Sequence, residues 1–221
     1  AEVHKHKISL MVEMGGYTQN SRPELVAVFS AIPSVSLLGF AHSLRGSFIS
    51  AVATDVVSSP PEFESHYTEK ILALPRTFYP TDHATSWHTR HLLDADAIPA
   101  FTKEQVGLDG NAFVFASFNQ PNKIGPEIFA CWMRIMTRVP GSQLWLLKLN
   151  EGQSAEINLR REAKRLGIDA DKRFYFTGSA DLGDHVGYKS AADLLLDTEL
   201  YNAHSTAADA LFAGVPMVTF A

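Results

Sequence analysis

Cysteine is nearly absent from this 221-residue chain, where Cys131 stands alone. A disulfide framework is therefore excluded, and a reducing compartment is expected. Cys131 lies in an apolar helical pattern, which reads as a core position; no adjacent base is readable that would activate it as a nucleophile. Long apolar runs are missing as well. No window reaches the roughly 18 uninterrupted apolar residues of a membrane span, so no membrane partner is expected. Basic runs are scarce and the formal net charge is −5, which counts against nucleic acid as a partner. The densest basic stretch, Arg160-Arg161-Glu162-Ala163-Lys164-Arg165, has helical spacing and reads as a solvated face. Also lacking are Gly-x-Gly-x-x-Gly, a Walker-type Gly-Lys-Ser/Thr and Gly-x-Ser-x-Gly, so dehydrogenase, P-loop and α/β-hydrolase readings lose ground. No paired-carboxylate pattern of a glycosidase stands out. The polar opening Ala1-Glu-Val-His-Lys-His-Lys carries no signal peptide and no Met, and Ala221 closes a strand. Both ends read as cuts within a longer chain.

What is present is an alternation of strands and helices. Strand patterns run over Ile8–Met14, Ser34–Phe40, Ser50–Asp55 and Lys70–Leu74. Helices are expected at Glu24–Phe29, behind Ser21 and Pro23, and at Glu62–Glu69, behind Ser58-Ser-Pro-Pro. From Tyr79 to Asn111 the pattern is lost. That stretch holds His83, His88 and His91, of which the last two have ligand-like spacing. No cysteine or tight carboxylate set completes a coordination shell, so a polar linker is favoured over a metal site. A second run of α/β units follows. Strands are expected at Ala112–Phe118, Ser142–Leu149, Phe174–Thr177 and Asp193–Leu196, with helices at Glu127–Val139, Glu156–Leu166 and Asp184–Ala191. Short connections between alternating elements predict parallel sheets of Rossmann type. The domain reading is 1–80, a linker over 81–110, and 111–221.

Chemistry concentrates near the C-terminal end, in Leu194-Leu-Leu-Asp-Thr-Glu-Leu-Tyr-Asn-Ala-His-Ser-Thr-Ala-Ala-Asp209. This reads as buried strand, polar loop and helix, with His204, Ser205 and Thr206 at the helix start and Asp209 one turn on. A helix N-terminus offers unpaired N–H groups and a positive dipole end, so it favours phosphate. Ser and Thr add hydroxyl donors there, and a carboxylate one turn later can accept from a sugar hydroxyl. The alternative is an ordinary N-cap. Lys123, in a loop between strand and helix, can neutralise a departing diphosphate or can be a solvated loop lysine. Gln120 shares that loop. His185 starts a helix, where it suits contact with a nucleotide ring or serves as a surface cap.

Collinear motifs then give a family resemblance. Phe118-Asn-Gln-Pro-Asn-Lys-Ile, Val139-Pro-Gly-Ser-Gln-Leu-Trp, His185-Val, Ala192-Asp-Leu-Leu-Leu-Asp-Thr, Asn202-Ala-His-Ser-Thr-Ala-Ala-Asp and Ala213-Gly-Val-Pro-Met-Val-Thr resemble the catalytic region of protein O-GlcNAc transferases. Met14-Gly-Gly-Tyr-Thr, Arg22-Pro-Glu-Leu, Thr54-Asp, Tyr67-Thr-Glu-Lys and Asp82-His-Ala agree in the first half. The resemblance implies an α/β fold of GT-B type, with two Rossmann-like domains of which the N-terminal one is incomplete here. It places UDP-GlcNAc between them, mostly on the C-terminal domain, 111–221. It implies inverting transfer of GlcNAc to Ser/Thr hydroxyls of cytoplasmic and nuclear acceptor proteins, with no cofactor and no required metal. By matching position, Lys123 would stabilise the UDP leaving group. Ser205 and Thr206, beside His204, would hold the diphosphate. Asp209 would bind ribose hydroxyls, and Gln120 and His185 would contact the nucleotide. The chain departs from the family at Leu182 and Tyr188, where Lys and Arg are usual, at Gly39-Phe-Ala-His42 and at Phe29-Ser-Ala-Ile32. Two alternatives stay open: a Spindly-type O-fucosyltransferase using GDP-fucose, and an inactive nucleotide-binding scaffold of the same fold.

Overall fold

The computed structural model describes residues 2–40, 42–83, 101–148, 153–178 and 185–220. These residues form two compact units, Ala1–Pro80 and Thr81–Ala221.

The first unit carries a wholly parallel sheet of β1 (Met11–Glu13), β2 (Ser34–Leu37), β3 (Ala51–Asp55) and β4 (Lys70–Leu74), in that spatial order. Its short helices are α1 (Glu2–Lys5) and α2 (Glu24–Val28). β3 is buried along its whole length, as a strand flanked by parallel neighbours should be. β1 is much shorter than the apolar run Ile8–Met14 predicts. The carboxylate of Glu13 turns back to accept from the backbone N–H groups of Gly15 and Gly16, at 2.9 and 2.7 Å, and this ends the strand. The helix expected at Glu62–Glu69 is a 3₁₀ segment at Pro61–His66. Glu69 is drawn out of it: its carboxylate is buried and accepts from Ser43 Oγ at 2.6 Å and Leu44 N–H at 2.7 Å.

The second unit is a five-stranded parallel sheet of β5 (Val114–Ser117), β6 (Gln143–Leu147), β7 (Phe174–Thr177), β8 (Leu194–Leu196) and β9 (Met217–Val218), ordered β7-β6-β5-β8-β9. Its helices are α3 (Pro126–Arg138), α4 (Gln153–Arg165), α5 (Ala170–Arg173), α6 (His185–Lys189) and α7 (Ser205–Phe212). The period of two along a strand sends alternate residues to opposite faces. Phe115, Leu144 and Leu146 join Trp132, Met133 and Met136 of α3 in one core. Val114, Ala116, Phe118 and Trp145 join Val186, Leu195 and Ala210 in the other. Cys131 packs at the edge of the α3 core, as the apolar reading expected. Arg160 is an exception to the solvated face: its guanidinium turns inward and donates to the carbonyl of Ala170 at 2.6 Å. In the stretch read as a linker, Leu108 is buried in the second unit's core, and Lys103 Nζ donates to the Ala112 carbonyl at 2.8 Å. His88 and His91 lie outside the described residues.

The strand order places the sheet's switch point between β5 and β8. Chain connections leave these two strands in opposite directions, and in parallel sheets the carboxyl ends at such a point are the usual place for a ligand. The loop after β5 carries Gln120 and Lys123, and the loop after β8 leads through His204 into Ser205 and Thr206 at the start of α7.

Candidate nucleotide-binding site

Asp197 organises the loop after β8. Its side chain is buried and receives five hydrogen bonds. One carboxylate oxygen accepts from Thr198 N–H and Ala203 N–H, both at 2.8 Å, and from Asn119 Nδ2 at 3.0 Å. The other accepts from Asn202 Nδ2 at 3.0 Å and Thr219 Oγ1 at 2.6 Å. Asn119, from the loop after β5, also donates to Thr198 Oγ1 at 2.8 Å and accepts from Thr206 Oγ1 at 3.2 Å. The two loops are thus pinned together, and the first turn of α7 is pinned to both.

Lys123 closes a 3₁₀ turn at Pro121–Lys123, just before Gly125 and Pro126 start α3. Its ammonium sits 4.3 Å from the centroid of the Tyr201 ring, a cation–π distance. Burial pulls its pKa below the usual lysine value, against an opposing pull from Asp197. Tyr201 in turn meets the His204 ring edge-on at 5.4 Å. His204 occupies the N-cap of α7 without a side-chain capping bond, and Ser205 is exposed at the first helical position. The positive end of this helix is therefore not covered by its own cap residue. Gln120 is exposed in the loop after β5.

A second cluster forms where α6 meets α7. Asp209 is buried to 15% side-chain exposure and draws three nitrogens. Lys189 Nζ lies 2.5 Å from Oδ2, His83 Nε2 lies 2.7 Å from Oδ1, and His185 Nδ1 lies 3.5 Å from Oδ2. Lys189 Nζ also meets His185 Nε2 at 3.2 Å. His83 stacks on Phe212 at 4.8 Å between ring centroids. Burial would raise the Asp209 pKa, but hydrogen bonds from Lys189 and His83 outweigh it and hold the carboxyl below its ordinary value. Burial, then the Lys189 charge, push His185 below its ordinary value. Burial likewise lowers Lys189, with Asp209 opposing. Among the described residues, no group of three or more His, Cys, Asp or Glu side chains is set to hold a metal ion.

Beside this cluster, at the carboxyl ends of β5, β6 and β7, lies a cavity of about 360 Å³. That size suits a small-molecule site. Phe118, Trp145, Leu147 and Tyr188 give it apolar walls; His185, Lys189 and Thr206 supply polar groups. Of the candidate donor-site residues named from the sequence, His185 and Thr206 line it directly, as does Tyr188, one of the family departures. Asp209 stands behind Lys189, and Gln120, Lys123, His204 and Ser205 belong to the switch-point loops rather than the cavity wall. Leu182 lies outside the described residues. Sequence reasoning missed Asn119, Asp197 and Lys189, and weighed His83 only as a histidine of the linker stretch, where the structure sets it against Asp209. Lys189 left one trace: it follows His185 by four residues on an expected helix, which puts both on one face.

Residues 1–98 and 95–221 match glycosyl transferase family 41. A curated relative from Arabidopsis thaliana, named a probable UDP-N-acetylglucosamine–peptide N-acetylglucosaminyltransferase SEC, is 35% identical over 217 residues, which is 98% of this chain and 22% of that protein. The Caenorhabditis elegans UDP-N-acetylglucosamine–peptide N-acetylglucosaminyltransferase is 25% identical over 316 residues, covering 96% of this chain and 27% of that one. Relatives named SPINDLY match too, among them one from Solanum lycopersicum at 27% identity, covering 98% and 22%. This chain therefore spans about a quarter of the length of these relatives. Among solved structures, an O-GlcNAc transferase of Thermobaculum terrenum superposes with a TM-score of 0.81 at 24% identity, covering 99% of this chain and 39% of that one. Anabaena HepE in complex with UDP and glucose superposes at 0.60 with 15% identity, covering 98% and 60%. At such identities these two likenesses speak for the fold, which is α/β of GT-B type. Matched along its whole length, the chain belongs to glycosyl transferase family 41.

Proposed function

We propose that this chain binds UDP-GlcNAc in its second unit and serves inverting transfer of GlcNAc to Ser/Thr hydroxyls of cytoplasmic and nuclear proteins. The observation that carries the reading is the cavity at the strand carboxyl ends, walled by aromatic rings and flanked by the uncapped start of α7. In an inverting displacement the acceptor oxygen attacks the anomeric carbon as the bond to UDP breaks, so negative charge builds on the diphosphate. The first turn of α7 offers the backbone N–H groups of Ser205 and Thr206 to that charge, and Ser205 adds a hydroxyl donor. Lys123 adds a compensating cation from the neighbouring loop. In this reading His185 faces the nucleotide ring, Asp209 accepts from the ribose, and Gln120 and His204 border the donor. Charge compensation comes from the protein, and no cofactor is assigned a step. The names of the curated relatives support the donor and the peptide acceptor.

Isothermal titration of UDP against the protein tests the binding claim. Micromolar binding that weakens at least about tenfold in Lys123→Ala is the expected result, given what a charge-assisted contact contributes. Absence of UDP binding refutes it. Competition between UDP and GDP separates GlcNAc transfer from GDP-fucose use, and a clear GDP preference overturns the donor assignment. UDP binding without transfer of radiolabelled GlcNAc to any Ser/Thr acceptor overturns the catalytic claim.

A further inference from the structure

We infer that Lys189 is a donor-contacting residue, its ammonium hydrogen-bonding a ring carbonyl of the nucleobase held in the cavity of the second unit. This rests on the nucleotide reading above and adds to it a residue and an orientation. Lys189 is only 3% exposed, yet it is one of the residues that line the cavity. An ammonium has three protons to donate. Two are accounted for, by Asp209 Oδ2 at 2.5 Å and by His185 Nε2 at 3.2 Å. His185 Nδ1 lies on the Asp209 side, so the neutral ring with its proton on Nδ1 satisfies both neighbours and leaves Nε2 to accept from Lys189. Burial favours that neutral ring. Lys189 is thereby held in one position by two partners, with a donor left for a ligand.

The charge balance decides what that ligand group is. Asp209 in direct contact cancels the lysine's charge, so the pair presents a directed donor with no net attraction for an anion. The surrounding wall is Phe118, Trp145, Leu147 and Tyr188, and the ammonium stands 5.6 Å from the Phe118 ring centroid. A diphosphate placed there would lose its hydration against apolar rings without compensation. A flat, neutral heteroaromatic ring packs on such walls and needs one donor for each buried carbonyl. The diphosphate is better served at the other side of the site, where Lys123 and the start of α7 lie. Uracil, the base of the proposed donor, carries such a carbonyl, and the remaining ammonium proton serves one of its two.

The test uses uridine and UDP as separate probes, titrated against the protein and its Lys189→Met and Lys189→Gln variants. Lys189→Met is expected to weaken uridine and UDP by the same factor, about tenfold or more. Lys189→Gln, which keeps a donor, should recover most of that loss. Lys123→Ala should weaken UDP but not uridine. A Lys189→Met variant that weakens UDP while leaving uridine unchanged would place the ammonium on phosphate and overturn the assignment. So would unchanged binding of both probes, with only a lowered melting temperature. In the unsubstituted protein, the ¹⁵N-labelled Lys189 ammonium resonance must shift on saturation with uridine; a resonance that does not move refutes the contact even if the variants fail to fold. Failure of the unsubstituted protein to bind either probe would instead sink the nucleotide reading itself.

Discussion

Replacing Asp197 with Ala removes a carboxylate that is 1% exposed and holds five donors. Three of those donors keep other options. Asn119 Nδ2 still reaches Thr198 Oγ1, Asn202 Nδ2 still reaches Thr219 Oγ1, and the hydroxyl of the exposed Thr219 can turn to solvent. The N–H groups of Thr198 and Ala203 have no such substitute in the structure. Each buried donor left unpaired costs about 1–3 kcal/mol, and some relief comes from no longer burying a charge. The expected net loss is about 3 kcal/mol for the second unit, which for a unit of this size lowers its melting temperature by roughly 9 °C. Trp132 and Trp145 are both buried in that unit, so urea unfolding followed by tryptophan fluorescence reads it directly. Asp197→Asn should fall between native and Ala, because one oxygen still accepts while the amide N–H₂ faces the donors. UDP affinity should drop in both variants, since the loop that Asp197 closes carries His204 and seats α7. A loss below about 1 kcal/mol for Asp197→Ala, or an Asn variant less stable than the Ala variant, would refute the reasoning from stranded donors.

Three further outcomes are expected. Trp132→Ala opens a void in the α3 core where the ring is 1% exposed, and should cost about 4 kcal/mol in the same urea assay; a loss under about 2 kcal/mol would mean the core collapses to fill the space. Gly39→Ala sets a Cβ against the backbone carbonyl of Met14, a neighbour that cannot swing aside, so β1 and β2 amides should exchange hydrogen faster; unchanged protection would show that the chain yields there without cost. His185 is held below its ordinary pKa of 6.5, first by burial and then by Lys189, so the unfolded chain binds more protons than the folded one just below that value. Stability is then complete above about pH 6.5 and declines as pH falls through 6.5 toward the folded pKa. Urea midpoints between about pH 7.5 and 5 should show this decline, weaker in His185→Gln, and an NMR titration placing the His185 midpoint at or above 6.5 would contradict it.

The parallel α/β architecture was legible because buried strands and amphipathic helices carry different periods. The stripe Ile128, Trp132, Ile135, Met136 and Val139 marks one face of α3, and Pro140-Gly141 marks its end. Elements set by long-range polar contacts were not legible. Glu69 reads as a helix residue, yet it is captured by backbone N–H groups some 25 residues earlier, and the expected helix shortens to a 3₁₀ turn. The four-residue α5 and the inward turn of Arg160 depend on each other, because the guanidinium binds the Ala170 carbonyl that starts α5. The loops of the candidate site were found by a topological route: in a parallel sheet, ligands usually bind beyond the strand carboxyl ends near the switch point.

What the sequence could not separate was the work of its two carboxylates after β8. Asp197 follows a buried strand and Asp209 sits one turn into a helix, and by position alone Asp209 is the stronger candidate for chemistry. Asp197 is saturated by five donors of the protein and has no capacity left for a ligand; its place is to fix the crevice. Asp209 meets His83 from 126 residues away and Lys189 from 20 residues away, and neither separation has a local sequence signature. Each of its oxygens holds one close partner, which leaves lone pairs for a sugar hydroxyl. Its pairing with Lys189 also turns a buried lysine from an anion trap into a neutral donor. The electrostatic character of the cavity therefore follows from a contact between α6 and α7, and only folding reveals it.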